Sequence, residues 1–201
     1  MAEKMRCELI SWSAVQRLCQ RLSALILESG YRPDLIVAIG RGGYVPARLL
    51  CDYLDIMDLT SIKIEHYLSG ANQQEQTIIR YPLKADIRDL KVLLVDDVND
   101  TGDTLVAATE HLQTFQPAEV RTAVMHEKTV SCISADYFAM RVVRWRWLIY
   151  PWAVNEDVRG FLKRMTPFPE SSEDAQKLLA ERFNINISLQ RLNYIYASMN
   201  Q

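Results

Sequence analysis

The stretch VLLVDDVNDTGDTL, residues 92 to 105, sets Asp96, Asp97, Asp100 and Asp103 directly after an apolar run. Carboxylates in that density accept hydroxyl donors and attract hard divalent cations. Thr101, Gly102, Asp103 and Thr104 follow, and backbone amides and hydroxyls opening a helix converge on an anion at its positive end. A phosphate cradle beside paired acids implies a sugar phosphate presenting a diol, together with a metal. A second stretch, IGRGGYVPARLL (39–50), places Arg41 before the adjacent glycines Gly42 and Gly43. Glycines at a strand end let backbone approach a ligand closely, and an arginine there can pair with phosphate.

These residues need a frame that brings strand ends together. DLIVAIG (34–40) is a short apolar run bounded by Pro33 and the glycines, as expected of a strand covered on both faces. KVLLV (91–95), LTSIKIEHY (59–67), VRTAVMHE (120–127) and VVRWRWLIY (142–150) read as further strands. Between them, YVPARLLCDYL and TLVAATEHLQTF (104–115) read as helices. Ahead of them Val15, Leu18, Leu22, Leu25 and Ile26 stand at helical spacing, with Ser13 as N-cap and Gly30 as C-terminal stop. Strand and helix alternation predicts an α/β fold built on an open, mostly parallel twisted sheet flanked by helices. In such sheets ligands bind beyond the carboxyl ends of the strands, where the acid cluster lies.

The pattern of four aliphatic residues, two acids, a spacer and Asp-Thr-Gly-x-Thr resembles the phosphoribosyl pyrophosphate (PRPP) signature of type I phosphoribosyltransferases. The resemblance implies that fold, with a small hood. It implies that Asp96 and Asp97 hold the ribose hydroxyls and a magnesium (Mg2+) shell, and that residues 101 to 104 cradle the 5′-phosphate. Asp100 corresponds to the acid beside the purine N7, the proton-handling catalytic group, and Asp103 to a variable position whose side chain points away from the phosphate. Residues 39 to 50 resemble the pyrophosphate loop, which implies a non-proline cis peptide next to Arg41.

AVMHEKTVSCISADYF followed by WLIYPWA is similar to the base-binding region of 6-oxopurine phosphoribosyltransferases, particularly bacterial xanthine-guanine and related archaeal enzymes. By that likeness Lys128 donates to the purine O6, Trp147 stacks on the base and the backbone of Leu148 reads its edge. Stacking plus a few placed donors suits a flat heterocycle. One position departs: Ala153 stands where relatives carry an acid after Pro-Trp, with Glu156 and Asp157 as the next acids. Residues 66 to 82 correspond to a lid, with His66 and Tyr67 at its start, whose closure would exclude water. His111 and His126 lack metal-ligand spacing.

Lysine and arginine total 23 against 25 acids, so no overall charge invites nucleic acid or an anionic membrane. The scattered Cys7, Cys19, Cys51 and Cys132 form no C-x-x-C pair and read as reduced thiols of a cytoplasmic protein. No run approaches the roughly 18 apolar residues of a membrane span. The basic-aromatic RVVRWRW fits an edge strand. The resemblance covers about residue 11 to 160, so residues 1–166 are expected to form the transferase domain with its hood. Residues 167–201, with two prolines, an acidic turn after Ser171-Ser172, and Leu178, Leu179, Leu189, Leu192 and Ile195, are expected as a helical extension.

The expected activity is transfer of the phosphoribosyl group of PRPP to a 6-oxopurine with magnesium, by a homodimer or homotetramer. The alternatives are a non-catalytic PRPP-sensing regulator, whose LAERFNINISLQRLNYI weakly resembles a helix-turn-helix, and an enzyme of this class for another base. The tail's acids make a poor footprint for nucleic acid.

Overall fold

A computed structural model describes residues 5–69 and 74–199. The chain divides into two compact units, one spanning Val15–Arg144 and the other joining the described residues before Val15 to those after Arg144.

The Val15–Arg144 unit is built on a six-stranded sheet ordered β4-β3-β2-β5-β6-β7. Its strands are β2 (Leu35–Gly40), β3 (Leu59–Ser69), β4 (Gln74–Tyr81), β5 (Lys91–Asn99), β6 (Glu119–Lys128) and β7 (Tyr137–Val142). All neighbours are parallel except the β3–β4 hairpin, the α/β architecture expected. Every residue of β2 is buried, which explains why its sequence is continuously apolar rather than alternating. Leu35, Val37, Ile39, Val92 and Leu94 pack with Leu105, Ala108 and Leu112 of α3 (Asp103–Gln113). Ile36, Ala38, Leu93 and Val95, pointing the other way, are equally buried, and α2 (Tyr44–Leu54) packs on β2 and β5. Each fully buried aliphatic side chain of this kind contributes about 1.5–3 kcal/mol.

Helix α1 (Trp12–Glu28) buries Val15, Leu18, Leu22 and Ile26 as its spacing predicts. Its start differs from expectation: Ser11, not Ser13, accepts the Ala14 amide at 3.2 Å. Gly30 follows the helix at φ 75, where a side chain would be strained.

The predicted strand 142–150 is not one element. β7 ends the main sheet at Val142, and Trp147–Ile149 forms β8, which pairs in parallel with β1 (Cys7–Leu9) in a separate two-stranded sheet. Between them, residues 143–146 carry exposed Val143 and Trp145. The aromatic and β-branched composition that suggested one strand is therefore divided between two sheets.

In the second unit β1 and β8 are followed by α4 (Val154–Lys163), α5 (Ser172–Phe183) and α6 (Leu189–Ala197). Ser171 and Ser188 cap α5 and α6 by accepting the Asp174 and Arg191 amides. Val154, Val158, Phe161 and Leu162 of α4 share one core with Leu179, Leu192 and Ile195 of the last two helices, and with Cys7 and Ile149. Residues 167–199 thus bury their apolar faces against residues 145–166. Among the described residues no helix is long and apolar enough to cross a membrane.

Candidate active site

The strand ends of β2, β5 and β6 lie side by side in parallel register, with Ala38 opposite Val95 and Asn99 opposite Glu127. The loop after each end carries one of the predicted motifs. Strand β5 continues beyond the predicted Val95 to Asn99, so both acids of the signature belong to the strand itself. Asp96 is only 9% exposed. Burial first, and then the charge of Asp97, holds its carboxyl well above the usual carboxylate range. Its Oδ1 accepts the Asp97 amide at 2.8 Å.

The glycine loop closes on these acids from β2. A Cβ at Gly42 would lie 2.5 Å from the Asp97 carboxylate, and one at Gly43 would overlap backbone oxygens of Val95 and Ile39. Both positions need glycine for close approach rather than for turn geometry. The Gly40–Arg41 bond is cis, as the family resemblance implies, and Arg41 is exposed.

After β5 the chain turns through residues 100–102 into α3. Asp100 Oδ2 accepts a 2.6 Å hydrogen bond from Lys128 Nζ at the end of β6. Lys128 is 4% exposed and Asp100 36%, so the carboxylate reaches outward while the ammonium, which needs a charged partner to be buried, stays within. Two residues that the sequence assigned separately to the purine are thereby joined. The Thr101 hydroxyl donates to Asp103 Oδ2 at 2.8 Å, so Asp103 is engaged at the helix start. Gly102 has φ 100 and caps α3. A Cβ there would meet Cys132 Sγ at 2.6 Å and Ser131 Oγ at 2.9 Å. Thr104 stands partly buried in the first turn of α3.

Behind this turn lie two residues the sequence reading did not single out. The Asn99 amide donates to Glu127 Oε2 at 3.0 Å and to the Ile133 carbonyl at 2.8 Å. Both side chains are buried. The available signal was a carboxylate, Glu127, inside a run whose neighbours read as a buried strand. His111 accepts the Leu83 amide at 3.1 Å, a structural contact. Asp136 accepts both the amide and the hydroxyl of Thr122, and Tyr137 takes a hydrogen bond from Arg121. This Asp-Tyr pair ties β7 to β6.

Arms β3 and β4 of the predicted lid pair from Lys63–Tyr81 to Ser69–Gln74. His66 and Tyr67 lie on β3, and residues 70–73 fall outside the described residues.

In the second unit, β8 presents Trp147 half-exposed and Leu148 buried. The indole Nε1 donates to Asp157 Oδ1 at 3.1 Å. Asp157 stands with Glu156 in the first turn of α4, which begins directly after Ala153. Trp147, Glu156, Asp157, Lys163 and Arg164 line a cleft of about 430 Å³ with Met5 and Phe161. Burial raises the Asp157 carboxyl, opposed by the indole hydrogen bond. The Tyr150 and Trp152 rings stack at 4.9 Å, and Trp12 tilts against Trp152, so these aromatics brace the segment that carries Trp147.

Among the described residues no three His, Cys, Asp or Glu side chains converge on one point. Magnesium is usually held by one or two carboxylates plus waters and substrate phosphates, and the adjacent Asp96 and Asp97 carboxylates at the end of β5 fit that mode.

The phosphoribosyl transferase domain model matches residues 8–156. Xanthine phosphoribosyltransferase 1 of Saccharomyces cerevisiae is 31% identical over 78% of this chain and 93% of its own length. A xanthine-guanine phosphoribosyltransferase of Nitratidesulfovibrio vulgaris is 33% identical over 71% of this chain and 82% of its own. Among solved structures, a purine phosphoribosyltransferase from Pyrococcus horikoshii OT3 superposes with TM-score 0.64 at 31% identity, covering 73% of this chain and 93% of that one. With the glycine loop, the acid-tipped β5 and the Asp-Thr-Gly helix start brought to the carboxyl ends of the neighbouring strands β2 and β5, the chain belongs to the phosphoribosyl transferase domain family.

Proposed function

We propose that the protein transfers the 5-phosphoribosyl group of PRPP to N9 of a 6-oxopurine, breaking the C1′–pyrophosphate bond and forming C1′–N9. The observation that carries this reading is the Lys128–Asp100 pair, an outward-reaching acid held by a buried cation directly before the phosphate-type helix start. The relatives named above act on xanthine, guanine or purines by their names.

In this reading the amides and hydroxyls of residues 101 to 104 hold the 5′-phosphate at the N-terminus of α3, where the helix dipole favours an anion. Arg41, with the backbone of Gly42 and Gly43, receives the pyrophosphate. Asp96 and Asp97 accept the ribose hydroxyls and would hold magnesium, which supplies countercharge to the departing pyrophosphate. Lys128 donates to the purine O6, Asp100 manages the proton at N7, and Trp147 stacks on the ring while the Leu148 backbone reads its edge. The hairpin beginning at His66 and Tyr67 covers the developing oxocarbenium charge and keeps water out. The assembly is a cytoplasmic homodimer or homotetramer.

The test is magnesium-dependent release of pyrophosphate from PRPP with hypoxanthine, guanine, xanthine, adenine, uracil and orotate offered separately. Turnover confined to one or more 6-oxopurines is expected. Binding of PRPP without turnover on any base would replace the enzyme by a sensor on the same fold.

A further inference from the structure

We propose that Asn99 and Glu127 are positioning residues for PRPP, fixing the segment 131–135 as the rear wall of the phosphate-cradling turn. The inference rests on the phosphoribosyltransferase reading for its ligand and on the following contacts for its mechanism.

Asn99 is 2% exposed and Glu127 3%. They face each other across the β5–β6 register, and the Asn99 amide uses both hydrogens, one on Glu127 Oε2 and one on the Ile133 carbonyl. The same Glu127 oxygen accepts the Ala135 amide at 3.5 Å. One carboxylate and one amide therefore tether both ends of residues 133–135 to the two strands that carry the site.

That segment is in turn pressed against the turn it serves. The Cys132 amide donates to the Thr101 carbonyl at 2.7 Å. Gly102 leaves no room for a Cβ beside Cys132, Ser131 and Ile133. The Thr101 carbonyl is thus turned backward into the wall. The amides of the turn must point at the anion for the cradle to work, and a peptide whose carbonyl is pinned on one side has its neighbouring N–H directed to the other. The wall begins next to Lys128, whose carbonyl accepts the Ser131 amide at 3.2 Å. A slack wall would misdirect the phosphate amides while leaving the Lys128–Asp100 pair made.

The experiment compares wild type with Asn99→Ala, Asn99→Ser, Glu127→Ala and Glu127→Gln in steady-state kinetics with PRPP varied at saturating purine. With two buried hydrogen bonds removed by alanine, the KM for PRPP should rise roughly tenfold, with kcat changed less than about threefold. Asn99→Ser, which retains one donor, should fall between. Glu127→Ala removes the acceptor shared by Asn99 and Ala135 and should raise the KM for PRPP about as Asn99→Ala does, whereas Glu127→Gln keeps that acceptor and should recover most of the loss. A merely structural role would lower the active fraction, and with it kcat, at unchanged KM.

Thiol labelling provides a readout independent of turnover. Cys132 is exposed, whereas Cys7, Cys19 and Cys51 are buried, so the fast-reacting thiol reports the wall itself. Labelling should accelerate severalfold in Asn99→Ala and Glu127→Ala and less in Glu127→Gln. Unchanged PRPP KM in Asn99→Ala and Asn99→Ser overturns the proposal, as does unchanged Cys132 labelling in both. Absence of transfer by wild type would instead remove the enzymatic reading. PRPP calorimetry on the same variants then decides the positioning role, with weaker binding in Asn99→Ala supporting it and equal binding overturning it.

Discussion

Asp100 and Asp157 are both acids set beside a side chain assigned to the purine, yet they are held in opposite ways. Asp100 reaches solvent from a tight turn and meets a buried cation, Lys128, on the adjacent strand. Asp157 is drawn into the first turn of α4, with its carboxyl raised by burial, and meets a neutral indole. In the Val15–Arg144 unit, polar side chains are stitched to backbone within a few residues of a strand end. In the other unit, the aromatic platform rests on an apolar core shared by three helices. The first arrangement localises charge for chemistry, and the second fixes a surface. Substitutions should therefore separate the two, affecting turnover and PRPP in one unit and stability and base affinity in the other.

The widest separation is expected from Asp100→Asn. Removing the carboxylate leaves Lys128 facing a neutral amide and, on the proposed assignment, removes the proton acceptor at N7. Turnover should fall by about 10²–10⁴-fold, the range for a positioned acid–base group, while PRPP affinity measured by calorimetry changes far less. Unchanged kcat would end the assignment of Asp100.

In the opposite unit, Leu179→Ala removes a fully buried side chain from the core joining α4 to α5 and α6. A loss of about 2–5 kcal/mol in denaturant unfolding is expected for such a truncation. PRPP affinity should be unchanged below the transition. A matching loss of PRPP affinity would show that the comparison divides the molecule in the wrong place.

The uneven legibility of the sequence follows the same division. The strand runs of β2 and β5 and the loops after them were readable because burial on both faces demands continuous aliphatic residues and a tight turn with φ 100 demands Gly102. Strand β5 was cut four residues short at Val95, because Asp96, Asp97 and Asn99 read as loop residues although they belong to the strand. The 142–150 region misled for a different reason. Val142 and Trp147–Ile149 have the same strand propensities, and nothing local tells which sheet each will join. Helix α4 also went unread, since Val154, Val158, Phe161 and Leu162 find their partners in α5 and α6, well beyond any local window. Asn99 and Glu127 were invisible as a pair because they are 28 residues apart.

Gly102→Ala sharpens the account of the phosphate turn. Alanine at φ 100 is strained, and its Cβ would press on Cys132 and Ser131. A loss of about 1–3 kcal/mol in PRPP binding is expected from the displaced turn. Calorimetry should find this loss without any change in the indole fluorescence of Trp147's unit.

The smallest effect concerns Asp157, and its sign is opposite to that of an ordinary ion-paired acid. Burial raises its carboxyl above the usual 3.8 in the folded protein, so the folded state binds the proton more tightly than the unfolded chain. Stability from this group is fully present below the unfolded value and is lost as pH rises through the folded one. An amide cannot ionise, so Asp157→Asn avoids that loss while still offering an oxygen to the Trp147 indole. At low pH the two proteins should melt together, both carrying a neutral side chain. As pH rises past the folded value the variant should melt progressively higher than wild type, by a few degrees at most. If wild type becomes the more stable protein with rising pH, the indole hydrogen bond outweighs desolvation. Asp157 would then hold Trp147 as an ionised anchor, and the contrast with Asp100 would narrow to the choice of partner.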